Sequence, residues 1–130
     1  MSNNHKRGEI LNFGELVKGK DIEAETAMKE KHIPTIDILE GHGGTDANLI
    51  RVIVGKDTAH PNTVEHHIAW VELYGRKDSG EVVNLGRVNF SPGNTRPDCR
   101  FKLENIGEYK AFCALGYCNI HGLWENCIEI

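Results

Sequence analysis

Only 7% of this 130-residue chain is aromatic, and its four cysteines form no Cys-x-x-Cys pair. Without such a pair, the zinc-ribbon and thioredoxin-like readings lose their main support. No apolar run approaches the ~20 residues that a helix needs to cross a bilayer. Met1-Ser2-Asn3-Asn4-His5-Lys6-Arg7 at the N-terminus has no apolar segment of the kind that opens a secretory signal. A cytoplasmic protein without membrane association is therefore expected. Basic residues form no stripe with interleaved aromatics, and the formal net charge is −4, which argues against nucleic acid as a partner. An anionic small substrate is still compatible, because the local field at a site matters more than the net total. In a reducing cytoplasm disulfides are not expected. Cys99, Cys113 and Cys127 then read as small buried or half-buried side chains.

What the chain does contain is an ordinary globular composition, 39% hydrophobic and 26% charged. That is enough for one domain over residues 1–130 with a core that needs no staples. From Thr35 onward, short β-rich runs alternate with turn residues. Strands are expected at 35–39, 49–54, 66–74, 82–90, 100–103, 109–117 and 123–130. Pro34 suits the start of the first, and Gly86 marks a bulge or bend within the fourth. Seven strands with turn signals every ~8–12 residues are the pattern of an antiparallel β-sandwich, an all-β fold. Residues 1–30 form an N-terminal extension of helical or loop character. A short helix over 21–30 would have Asp21 as its N-cap and must end by His32 or Ile33, ahead of Pro34.

Chemistry concentrates in three segments. Cys118-Asn119-Ile120-His121-Gly122-Leu123-Trp124 places a thiolate and an imidazole three residues apart, suited to a loop closing on one ion. Upstream lie Glu30-Lys31-His32-Ile33-Pro34 and His60-Pro61-Asn62-Thr63-Val64-Glu65-His66-His67. Taken singly, each of the seven histidines reads as a half-exposed polar residue, so the argument rests on placement. The loops of a sandwich cluster at its two ends, and ligands from three loops can meet there on a rigid scaffold. On a strand His66 and His67 would face opposite ways; His66 is preferred as the ligand. His5 and His42 are read as solvent residues. Five protein ligands argue against a closed four-coordinate zinc site. Blue-copper sites commonly add an axial methionine, and none follows His121. A redox-active iron with nitrogens in a plane and sulfur on the axis would keep a sixth position open. Zinc, copper and iron all stay open on this reading.

The three segments, in this order, resemble those of the superoxide reductases, called neelaredoxins in their one-iron form. The resemblance covers roughly residues 30–130. It implies an immunoglobulin-like seven-stranded sandwich and a mononuclear non-haem iron cycling between Fe2+ and Fe3+. The implied ligands are His32, His60, His66 and His121 in the equatorial plane and Cys118 on the axis. Lys31 would lie near the open position, and Glu30 could occupy it when the iron is oxidised. The implied activity is one-electron reduction of superoxide to hydrogen peroxide, with rubredoxin or a similar carrier as electron donor and a homotetramer as the assembly. Some relatives carry an additional N-terminal cysteine-rich domain. This chain has no cysteine before Cys99, so the one-iron class is expected. Backbone N–H groups of Ile120 and His121 are expected to donate to the Cys118 sulfur. The competing reading is a non-catalytic zinc- or copper-binding sandwich, structural or electron-transferring.

Overall fold

The computed structural model describes residues 12–40 and 47–130; His5 and His42 fall outside them. Seven strands form, β1 (Pro34–Glu40), β2 (Ala47–Val54), β3 (Ile68–Lys77), β4 (Val82–Asn89), β5 (Asp98–Lys102), β6 (Tyr109–Cys118) and β7 (Gly122–Glu129). They make two antiparallel sheets, one in the order β1-β2-β5 and the other β4-β3-β6-β7. The expected all-β sandwich of seven strands is what the described residues build. Among the described residues no helix is long and apolar enough to cross a membrane.

Period-two alternation sets which side chains face inward. Ile50, Val52 and Val54 on β2 meet Val71 and Leu73 on β3 and Phe112 and Ala114 on β6 in one buried cluster. Each valine, leucine, isoleucine or phenylalanine side chain among them contributes about 1.5–3 kcal/mol when fully buried. On β6 the inward series runs Phe112, Ala114, Gly116, Cys118, so the last inward residue of the strand carries a sulfur. The bend expected at Gly86 is present. The β3–β4 register skips Leu85 between Leu73↔Gly86 and Tyr74↔Asn84. Gly86 has φ +136°, and a Cβ there would lie 3.2 Å from the Phe101 ring.

Two expectations need correction. The helix, α1, spans Thr26–His32 rather than 21–30, and Glu25 rather than Asp21 precedes it. The reason lies upstream. Lys18 pairs with Trp124 of β7, and a turn closed by Ile22 N–H donating to the Gly19 carbonyl at 3.2 Å follows it. The chain is free to coil only after that turn. At the other end Pro34, which has no N–H, opens β1 as expected. The second correction concerns the cysteines. Cys113 and Cys127 lie directly opposite each other in the β6–β7 register and are joined as a disulfide. Cys127 is exposed and Cys113 half-buried. Cys99 is a buried free thiol, as expected. Only strand register brings a pair 14 residues apart into contact, and register is not written in local composition.

Candidate metal centre

Five side chains converge at one end of the sandwich, each delivered by a different local device. His32 is the last residue of α1, not part of a free loop, and is 2% exposed. Its Nδ1 lies 2.8 Å from the Met28 carbonyl, one helical turn back. His60 comes from the 55–67 connection and is buried, with Nδ1 2.6 Å from the Pro61 carbonyl. A carbonyl only accepts, so both rings carry their proton on Nδ1 and present a lone pair at Nε2. Gly55 makes the approach to His60 possible. Its φ is +81°, and a Cβ there would stand 2.6 Å from the His60 nitrogen.

His66 and His67 lie in a loop rather than on a strand, since β3 begins only at Ile68. The loop is closed by His66 N–H donating to Thr63 Oγ1 at 3.0 Å and Thr63 N–H donating to the His66 carbonyl at 2.9 Å. His66 turns toward the other imidazoles, while His67 Nδ1 binds the Thr63 carbonyl at 3.1 Å. Cys118 is fully buried. The amide of His121 donates to its sulfur at 3.3 Å; the companion bond expected from Ile120 is not made.

The donor atoms of His32, His60, His66 and Cys118 all lie within 4.8 Å of one another. His121 stands against this set, with Nδ1 3.8 Å from the Cys118 sulfur. Its ring centroid is 4.9 Å from that of His32 and 5.1 Å from that of His66. Nε2 of His32, His60 and His66 are buried and have no hydrogen-bond partner. Three buried imidazole nitrogens left unpaired around a thiol would be costly in an empty protein, and this is the donor set that a borderline transition metal takes. Burial first of all, then the neighbouring positive groups, pushes His60 down to about 4 and lowers His32 and His66 as well. The rings are therefore neutral and available as donors at neutral pH.

Lys31 is half-buried beside the cluster, and its positive charge is one of the influences that lower His66. Glu30 is exposed, and its carboxylate accepts from Thr58 Oγ1 at 2.7 Å, so it is held on the 55–67 connection.

Three further residues had no assigned role in the sequence reading. Asn119 ties two donor loops together. Its Oδ1 accepts from His67 N–H at 2.9 Å and its Nδ2 donates to the Glu65 carbonyl at 2.9 Å. Its place beside Cys118 was the only signal available. Trp124 is 2% exposed, stacks on His32 at 4.8 Å and donates from Nε1 to the His121 carbonyl at 3.2 Å. Lys18 donates to the same carbonyl at 3.0 Å, and nothing in the sequence near it suggested that contact.

Known proteins resemble this chain in sequence and in fold. The desulfoferrodoxin family model matches residues 24–127, a stretch that includes all five convergent side chains. The chain is 44% identical over 105 residues to a superoxide reductase of Pyrococcus horikoshii, covering 78% of this chain and 88% of that one. It is 36% identical over 110 residues to a neelaredoxin of Megalodesulfovibrio gigas, covering 75% of this chain and 84% of the relative. Among solved structures, the superoxide reductase (neelaredoxin) of Ignicoccus hospitalis superimposes with a TM-score of 0.72 at 40% identity, over 92% of this chain and 98% of that chain. The one-iron superoxide reductase of Giardia intestinalis gives 0.68 at 31% identity, over 78% and 100%. With the sandwich, the order of the donor segments and these likenesses in agreement, the chain belongs to the desulfoferrodoxin family.

Proposed function

We propose that this protein is a superoxide reductase, an oxidoreductase that converts superoxide to hydrogen peroxide at a mononuclear iron. The observation that carries the proposal is the group of buried, unpartnered Nε2 atoms of His32, His60 and His66 gathered around Cys118. With His121, these residues make a four-histidine, one-cysteine set, and we assign all five as the ligands. When bound there, iron supplies a one-electron couple between Fe2+ and Fe3+. One electron and two protons added to superoxide give one hydrogen peroxide, and an external donor restores the electron. The chain's own residues do the rest. Lys31 draws the small anion toward the cluster and offsets negative charge as it develops on reduced oxygen. The amide of His121 donates to the Cys118 sulfur and tempers its electron donation. Glu30, anchored by Thr58, acts as a removable lid rather than an essential group.

Rubredoxin or a similar small carrier is the donor we propose, docking weakly beside the donor loops, together with a homotetrameric assembly in the cytoplasm. In a reducing compartment Cys113 and Cys127 would exist as thiols for part of the time. Thiol counting on protein quenched directly from cells tests the location. The central test is stopped-flow or pulse-radiolysis reduction of superoxide by the iron-loaded, reduced protein. Peroxide forms without release of oxygen, and the oxidised protein has a visible thiolate charge-transfer band. A colourless zinc protein, or a blue copper one, would sink the proposal in favour of a structural or electron-transfer sandwich.

A further inference from the structure

Lys18 lies outside the three donor segments, yet its side chain ends at the centre. Its backbone is pinned on both sides to β7. Lys18 N–H donates to the Leu123 carbonyl at 3.0 Å, and Glu125 N–H donates to the Lys18 carbonyl at 2.8 Å. Lys18 and Trp124 are thus partners in a parallel bridge, and paired residues in a sheet project to the same face. Trp124 projects inward, so Lys18 follows it. The Lys18 stem runs along the indole, with Nζ 5.3 Å from the ring centroid, and reaches the His121 carbonyl at 3.0 Å. That same indole stacks on His32 and donates to that same carbonyl. One ammonium group is therefore fixed against the backbone of one donor residue and the aromatic neighbour of another. None of the ion pairs among the described residues involves Lys18.

From this arrangement we infer that Lys18 is a positioning residue that sets the redox poise of the metal centre by holding a fixed positive charge behind His121 and Trp124. The physics is Coulombic. A cation close to the metal disfavours the extra positive charge of Fe3+ more than it disfavours Fe2+, and the buried indole between them excludes the water that would screen it. The centre is therefore biased toward its reduced form, ready for superoxide and easily recharged by a weak donor. This is distinct from the part given to Lys31. Lys31 acts on the incoming anion, and Lys18 acts on the resting equilibrium.

The inference rests on the iron reading above, and one set of measurements separates failure of either. Iron-loaded wild type, Lys18→Met, Lys18→Gln and Lys18→Arg are titrated against redox dyes, with optical spectra and thermal melts recorded alongside. Lys18→Met is expected to shift the iron equilibrium toward Fe3+ by about tenfold, about 59 mV for a one-electron couple. Its thiolate charge-transfer band should move to shorter wavelength as the ferric form becomes harder to reduce. Lys18→Gln keeps a donor for the His121 carbonyl without the charge and is expected to follow Lys18→Met. Lys18→Arg restores the charge and is expected to restore wild-type poise. Should Lys18→Met fail to fold, the glutamine variant decides alone. Folded Lys18→Gln with a wild-type potential and band would overturn the inference and leave Lys18 a structural strut. Absence of any thiolate band in iron-loaded wild type would instead overturn the proposed centre itself.

Discussion

Imidazole binds a metal well when it is neutral and when its second nitrogen is committed elsewhere. His32 and His60 meet both conditions with the nearest backbone carbonyl, those of Met28 and Pro61. The rings are thereby aimed and their tautomer chosen before any ion arrives. Lys31 and Glu30 sit next to His32 in sequence but differ in how they are held. Lys31 is half-buried with its charge felt at His66, whereas Glu30 points out to Thr58. Lys31→Ala is accordingly expected to lower the second-order rate with superoxide about tenfold, at the low end of what local fields supply to an ionic substrate. It should also flatten the ionic-strength dependence of that rate. Glu30→Ala should retain most of the rate. Pulse radiolysis across a salt series measures both, and identical salt profiles for wild type and Lys31→Ala would remove the lysine from the mechanism.

At the scale of elements, the β6–β7 hairpin is central to the proposed site. It carries Cys118 and His121 in its turn, is locked to the 63–67 loop by Asn119, and is tied further along by Cys113–Cys127. Asn119→Ala removes two side-chain hydrogen bonds that hold separate donor loops in register. The expected loss is about 1–3 kcal/mol in denaturant unfolding, together with faster iron loss to a chelator than in wild type. An unchanged chelation rate would show that the two loops hold their positions without the tie. The disulfide closes a loop with a sequence separation of 14 residues. A closure of that length stabilises by about 3 kcal/mol in the chain-entropy treatment. Cys113→Ser/Cys127→Ser should therefore unfold at a clearly lower denaturant midpoint than the oxidised wild type. The reduced wild type should move to join the double variant, and equal midpoints for all three would discount the bridge.

Across the whole molecule, the convergence of buried imidazoles makes stability depend on pH. His60 has its ordinary value near 6.5 in the unfolded chain and about 4 in the fold. Below the unfolded value, the unfolded chain takes up a proton that the folded chain resists. The contribution of His60 to the stability of the metal-free protein is therefore fully present above pH ~6.5 and is lost as the pH drops toward ~4, with His32 and His66 adding in the same direction. Metal affinity falls over the same range because protons compete for the donor nitrogens. Denaturant midpoints of the metal-free protein measured through this window check the sign. A midpoint that rises on acidification would contradict burial of neutral rings.

Much of the fold, and the donor types gathered at the candidate site, were legible in the amino-acid order. Strand runs show because burial of one sheet face demands alternation within a few residues, and β1 to β7 all fall where the turn residues allow. The donor types show because thiolate and imidazole chemistry is a property of single residues, and each of the three segments is short. What escaped depends on which residues lie opposite one another across strands. The start of α1 at Thr26 follows from the pairing of Lys18 with β7. The Cys113–Cys127 bridge follows from the hairpin register, and the Asn119 tie from the meeting of two loops 52 and 54 residues apart in the chain. Local sequence specifies element type and side-chain chemistry, because propensity and alternation act over a few residues. Only packing of the two sheets decides register and loop convergence, because those are set by contacts between residues remote in the chain. In this protein the packed structure places the charge of Lys18 behind the centre that the histidines and Cys118 announce.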